Sequence, residues 1–187
     1  MDGSLLSSTW NTRFVPGCEN RLLRSDAVLS VTDGEAAWLR SLGLSLVIDL
    51  RSEKEAAILP CALCGCPSFD VFRISRTSHG GTSLENYLGM LDGSMQEVLG
   101  MLERSRGPAL YFCQEGCDRT GVVTALMQLR RKVPDEIILQ DDLLSFRHKP
   151  KQRAEAAGQA MRGFLREMHE NARYRRFSCA AGEKVVY

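Results

Sequence analysis

Cys113 and Arg119 are the two residues whose types and spacing can do chemistry together. Five residues separate them in Cys113-Gln114-Glu115-Gly116-Cys117-Asp118-Arg119-Thr120-Gly121. A loop of that length can wrap one tetrahedral anion, with the thiol beneath it and the guanidinium at its side. Arg presents a planar fork to two phosphate oxygens, which the point charge of Lys does not reproduce. A free thiol is mostly protonated at neutral pH, but a helix N-terminus and a nearby cation favour the thiolate. Cys113 is therefore the expected nucleophile, attacking phosphorus to give a phosphocysteine. Residues Cys113, Gln114, Glu115, Gly116, Cys117, Asp118 and Arg119 would form the phosphate cradle. Thr120 is expected to donate a hydrogen bond to the sulfur and ease its departure in the second step.

Such a cradle needs a strand to deliver the thiol and a helix to aim its N-terminus. Ala109-Leu110-Tyr111-Phe112 is a short apolar run with strand character, and Val122-Val123-Thr124-Ala125-Leu126 reads as a buried helix start. At a strand-loop-helix corner the loop amides and the unpaired N–H groups of the first helical turn converge on an anion. Gly116 and Gly121 permit the tight path. The leaving oxygen also needs a proton donor. The preceding strand, Phe69 to Ile74, runs into Ser75-Arg76-Thr77-Ser78-His79-Gly80-Gly81-Thr82, which holds no carboxylate. Asp118 is thus assigned the acid role, with helix N-capping as its structural alternative. His79 is the reserve.

Further along the chain, strands and helices alternate. Thr32-Asp33-Gly34-Glu35 reads as a capping box opening a helix, and Leu44 to Leu50 as a buried central strand. Asp49 and Arg51 at its end are expected to brace one another rather than to act in catalysis. Ser83 to Arg104 has the apolar spacing of one long amphipathic helix with a kink at Asp92-Gly93. Helices are expected from Pro134 through Leu144 and around Ala154 to Met168, followed by a flexible tail from about residue 173 to 187. The alternation argues for one α/β domain over residues 1–187, a mostly parallel central sheet flanked by helices, with the loop at the carboxyl end of a central strand.

The loop resembles that of the tyrosine phosphatase-like proteins of the bacterial and fungal "family 3" type, which usually reads H-C-x-A-G-K-D-R-T-G. Other segments follow in the family's order. Asn11-Thr12-Arg13 with Gly17 resembles its N-F-R-D-x-G-G opening, and Leu23-Arg24-Ser25-Asp26 its Y-R-S-D/G segment. Leu46 to Ser52 with Glu55 matches V-I-D-L-R-S-x-x-E, and Asp141-Asp142-Leu143-Leu144-Ser145 resembles D-Y-L-x-S. The resemblance implies a tyrosine phosphatase-like fold of the dual-specificity type and hydrolysis of phosphotyrosine, with dual specificity as an extension. Three positions depart from the pattern: Phe112 stands for His, Glu115 for Ala and Cys117 for Lys. Losing the Lys removes a cation from the rim. The loop of myotubularin-like phosphoinositide phosphatases, C-S-D-G-W-D-R-T, carries an acid at the equivalent place, so phosphoinositide is an alternative substrate. A phosphate-binding pseudophosphatase is the alternative of another class.

Composition bounds these readings. The chain has 187 residues, 44% of them hydrophobic, and a formal net charge of +1, which gives no electrostatic reason to invoke nucleic acid. No apolar run is long enough for stable membrane insertion, and no basic segment opens the chain as in a secretory signal. Seven cysteines make an odd count for a disulfide framework and favour a reducing, cytoplasmic setting, although an effector exported without a cleavable signal would look the same. Cys61, Cys64 and Cys66 form half of a zinc pattern with no second half, so no metal and no cofactor is expected. Cys117 is close enough in sequence to Cys113 to trap it as a disulfide, although replacement of the family's Lys explains it more simply. The expected partner is a phosphorylated protein or peptide.

Overall fold

The computed structural model describes residues 3–18, 20–75 and 81–179. A five-stranded sheet has the order β1-β2-β5-β3-β4. Its strands are β1 (Arg13–Phe14), β2 (Leu22–Ser25), β3 (Leu46–Asp49), β4 (Asp70–Arg73) and β5 (Ala109–Phe112). The β2–β5, β5–β3 and β3–β4 pairs are parallel, and only the short β1 runs antiparallel to its neighbour. β5 is thus central, hydrogen-bonded on both sides.

A parallel sheet covered on both faces must be apolar on both. β5 accordingly sends Ala109 and Tyr111 into one core and Leu110 and Phe112 into the other. The first core is closed by α3 (Leu84–Gly89), α4 (Gly93–Arg104), α5 (Asp118–Arg130), α6 (Asp135–Leu144), α7 (Lys151–Glu170) and the short α8 (Arg175–Ser178). The second lies under α1 (Asp33–Ser41) and the loop carrying Cys61 and Leu63. α2 (Glu53–Ile58) follows β3 directly and is opened by Ser52 in a capping box with Glu55. The capping box expected at Thr32 and Glu35 opens α1 in the same way.

Two expectations change. The single kinked helix over 83–104 is two helices, because the Asp92 carboxylate accepts the Met95 N–H and caps a new start at Gly93. The tail expected from residue 173 begins as α8, whose Phe177 is buried, with its carbonyl accepting from Arg130 Nε at 2.7 Å. Residues 180–187 lie outside the described residues. Among the described residues, no helix is long and apolar enough to cross a membrane, and none of the seven cysteines is in a disulfide.

Candidate active site

β5 ends at Phe112 and α5 begins at Asp118, so the loop between them lies at the carboxyl edge of the sheet's central strand. Its two flanking strands hold it. The Leu50 N–H reaches Phe112 O at 2.8 Å, and the Ala27 N–H reaches Gln114 O at 3.3 Å. Gly116 has φ of +68°, and a methyl group there would lie 2.6 Å from Asp26 N, so both its conformation and its contact with the end of β2 require glycine.

Side chains from the segments resembling the family's opening and closing motifs fix the outer side of the loop. Asn11 Nδ2 donates to Glu115 O at 3.0 Å, and the wholly buried Arg24 donates to Gly116 O at 3.1 Å. Arg24 is itself held by Asp141 at 2.6 Å and by Ser145 Oγ at 2.8 Å, while Arg13 binds the same carboxylate at 2.8 Å. The Cys117 thiol donates to Ser145 O at 3.2 Å. Burial, then the nearby Cys113, push the Cys117 thiol up to about 12, so it fills this space as a neutral group.

On the inner side, Cys113, Asp118, Arg119, Glu115, Arg153 and Gly81 line a cavity of about 150 Å³. Arg119 is oriented by Glu55, which accepts from both terminal nitrogens at 2.7 Å. Burial opposes its charge, but the hydrogen bonds to Glu55 and the proximity of Cys113 outweigh burial and raise its pKa. The hydrogen bond from Arg119 in turn holds Glu55 down at about 2, with help from the Ser52 cap. Glu55 therefore serves as both the N3 residue of a capping box and the brace of the guanidinium.

Asp118 does not cap α5. The cap position belongs to Cys117, which makes no side-chain capping bond. The Asp118 carboxylate instead accepts from Thr82 Oγ1 at 2.8 Å and Tyr87 OH at 3.2 Å on one oxygen, and from Arg153 at 3.1 Å on the other. Glu115 turns away from the cradle floor to Lys149 at 2.7 Å and to Arg153, the latter chiefly holding its carboxyl at about 2. Arg153, at the start of α7, thus brings a cation to the rim where the loop itself has Cys117.

Thr120 is fully buried, and its Oγ1 has no hydrogen-bond partner, so the bond expected to the Cys113 sulfur is not formed. His79 lies outside the described residues. Asp49 and Arg51 brace one another as expected, buried and bonded at 2.9 Å. The Arg51 guanidinium also lies over the Phe112 ring, 5.2 Å from its centre. The reasoning from sequence missed Arg153, Lys149, Tyr87 and Thr82, and gave Glu55 no role. Only Glu55 carried a signal, because Ser52-x-x-Glu55 just after a strand places a carboxylate at the sheet edge where the loop also ends.

The sequence pattern of the Tyrosine phosphatase family matches residues 18–181. The chain belongs to that family. A "Tyrosine-protein phosphatase" from Nostoc commune is 29% identical over 189 aligned residues, covering 86% of this chain and 64% of the relative. The chain thus spans less than two thirds of that relative's length. Among solved structures, P. aeruginosa TpbA superposes with a TM-score of 0.52 at 19% identity, covering 77% of this chain and 80% of TpbA. A TpbA variant in complex with pTyr gives 0.50 at 18% identity, over 88% and 99% of the two chains. These likenesses establish the family's α/β fold for this chain.

Proposed function

We propose that this family member is a cysteine-dependent protein-tyrosine phosphatase. The observation that carries it is the convergence of Cys113, a Glu55-braced Arg119 and Asp118 on one small polar cavity at a strand-loop-helix corner. The Cys113 thiolate attacks phosphorus, the ester P–O bond breaks, and the leaving oxygen takes a proton from Asp118. Water then attacks the phosphocysteine, returning its proton to Asp118 as the P–S bond breaks and the thiolate leaves. The Thr120 hydroxyl, buried and without a partner, is adjacent in sequence to Arg119 and can turn toward the departing sulfur.

A guanidinium has donors enough to hold Glu55 along one edge and phosphate oxygens along another. Arg153 supports the same outcome from the rim. An arriving phosphate competes with Glu115 and Asp118 for its N–H groups. The pTyr complex of TpbA, on the same fold, favours an aryl phosphate as the group that enters. Phosphorylated proteins or peptides are the proposed substrates, with phosphoserine and phosphothreonine as an extension. A thiolate nucleophile works where thiols stay reduced, which favours the cytoplasm.

The test is hydrolysis of p-nitrophenyl phosphate from pH 5 to 8 with EDTA present, for the native chain beside Cys113→Ser and Asp118→Asn. Loss of turnover in the first variant and a slower first step in the second are expected. Native activity no higher than that of Cys113→Ser would refute turnover of aryl phosphates. Phosphopeptide binding without turnover would then mark a pseudophosphatase.

A further inference from the structure

A second and larger cavity, of about 320 Å³, adjoins the catalytic one, and Glu115 lines both. Trp10, Asn11, Gln114, His148 and Lys149 form much of its wall. Gln114 follows Cys113 in the chain, so the cavity begins one residue from the phosphate cradle. An extended peptide advances about 3.3 Å per residue. A peptide whose phosphotyrosine entered the cradle would therefore lay a neighbouring side chain over this wall. The active-site chemistry proposed above leaves the cavity unused apart from Glu115.

The charged groups around the cavity already have partners. Lys149 and Arg153 both sit on Glu115. The exposed Arg147 guanidinium donates to Trp10 O at 2.9 Å and to His148 Nε2 at 3.1 Å. The Asp26 carboxylate accepts the Trp10 and Asn11 N–H groups at 3.0 and 2.8 Å. Asn11 Oδ1 and Gln114 Oε1 have no partner, but both atoms are buried and closed to an occupant. An incoming charge would give up its water and gain only by displacing contacts already made. Charge of either sign is thus not what this wall selects.

What the wall leaves open is an aromatic surface. Trp10 is 64% exposed, an unusual degree for an indole. The chain's other tryptophan, Trp38, packs against the second core instead. The exposure of Trp10 does not come from a loose backbone, because Asp26 holds its N–H and Arg147 holds its carbonyl. The indole also rests on the His148 ring, with centres 4.8 Å apart and the planes tilted by 58°. A fixed main chain and a supporting ring hold the indole ready before any ligand arrives, which lowers the cost of ordering it on binding. Two tilted rings suit a third ring, which can stack on one offset or meet it edge to face.

We infer that this cavity is a substrate subsite that takes an aromatic side chain close in sequence to the phosphorylated residue of a peptide. This rests on the phosphatase reading given above and deepens it, giving a general phosphomonoesterase a preference for aromatic sequence context.

The experiment uses Cys113→Ser, which removes the nucleophile and leaves the rest of the cradle, with phosphotyrosyl peptides identical except for one residue. Phe, Ala, Arg or Asp is stepped through the two positions on either side of phosphotyrosine, and affinity is read by fluorescence anisotropy. Phe is expected to bind about tenfold more tightly than Ala at one position, equivalent to about 1.4 kcal/mol and within the range of one aromatic pair. Adding Trp10→Ala to Cys113→Ser brings that ratio to about one, whereas Trp10→Phe keeps most of it. Equal affinities at every position, a preference for Arg or Asp over Phe, or a Phe preference that survives Trp10→Ala overturns the subsite. Hydrolysis of p-nitrophenyl phosphate by the native chain separates the two failures. Turnover without an aromatic preference removes the subsite alone, whereas no turnover and no binding of any peptide removes the phosphatase reading and the subsite together.

Discussion

At the scale of single residues, the site works by borrowing partners. Arg119 is aimed by Glu55 from a different helix, and Arg153 neutralises two carboxylates that would otherwise repel phosphate. Glu55→Gln keeps the capping geometry but loses the ionic brace, and should lower kcat/KM for p-nitrophenyl phosphate by about 10–100-fold, the usual effect of removing an orienting partner. Because Arg153 acts from the rim, Arg153→Gln should raise KM by about tenfold, consistent with one charge-assisted hydrogen bond, and should do so more than it lowers kcat. Steady-state kinetics on the two variants checks both. The proposed nucleophile, clamp and acid could be singled out in sequence because they lie within one short loop, and the structure brings all three to one cavity. Arg153 could not, because no local pattern in Lys151-Gln152-Arg153 says that the start of α7 will sit over that loop. Glu115 is a related case. A carboxylate at that place in the loop would repel phosphate on its own, and only the tertiary arrangement supplies Lys149 and Arg153 to neutralise it.

At the scale of elements, α6 is the part that ties the sheet to the loop. Asp141 on α6 holds Arg13 from β1 and Arg24 from β2, and Arg24 in turn holds Gly116 O. Removing one partner of a buried charge network strands the others, so Asp141→Ala should destabilise the fold by about 3–5 kcal/mol, read as a lower thermal midpoint. Its neighbour Asp142 behaves oppositely. Both of its oxygens are buried without a hydrogen bond, and burial pushes its carboxyl up to about 7. A carboxyl raised in this way stabilises the fold fully only below its ordinary value of 3.8, and that contribution is lost as pH rises toward about 7. Asp142→Asn should therefore melt higher than the native chain at pH 8, with the gap closing toward pH 4, as calorimetry across that range would show. β3, β5, α1, α6 and α7 could be placed from apolar periodicity and caps. The break between α3 and α4 was located at Asp92-Gly93 but read as a kink in one helix, because the apolar spacing continues across it and only the Asp92 cap marks a new start. Adjacent Asp141 and Asp142 also looked alike in sequence, although one is hydrogen-bonded to two guanidinium groups and the other to none.

At the scale of the whole molecule, two ionic braces set the acid limit of the fold. The carboxyls of Glu55 and Glu115 are held at about 2 against an ordinary 4.5, so their ion pairs contribute above pH 4.5 and are lost as pH falls from there toward about 2. Both side chains are partly exposed, 30% and 41%, so salt should screen the effect and the loss should be modest. Thermal midpoints measured from pH 5 down to pH 2 at low and high salt should fall together, with the steeper fall at low salt. A different consequence follows from Gly116. The middle of the loop touches the end of β2 with no room for a methyl group, so the cradle has no backward travel. One half of the site behaves as an anvil. Any give on binding or releasing a substrate must come from the opposite half, where Thr82, Tyr87 and Arg153 meet Asp118 through side chains alone. Within this fold, changes to the chemistry would be confined to the fixed half, whereas changes in what is accepted could accumulate on the yielding one.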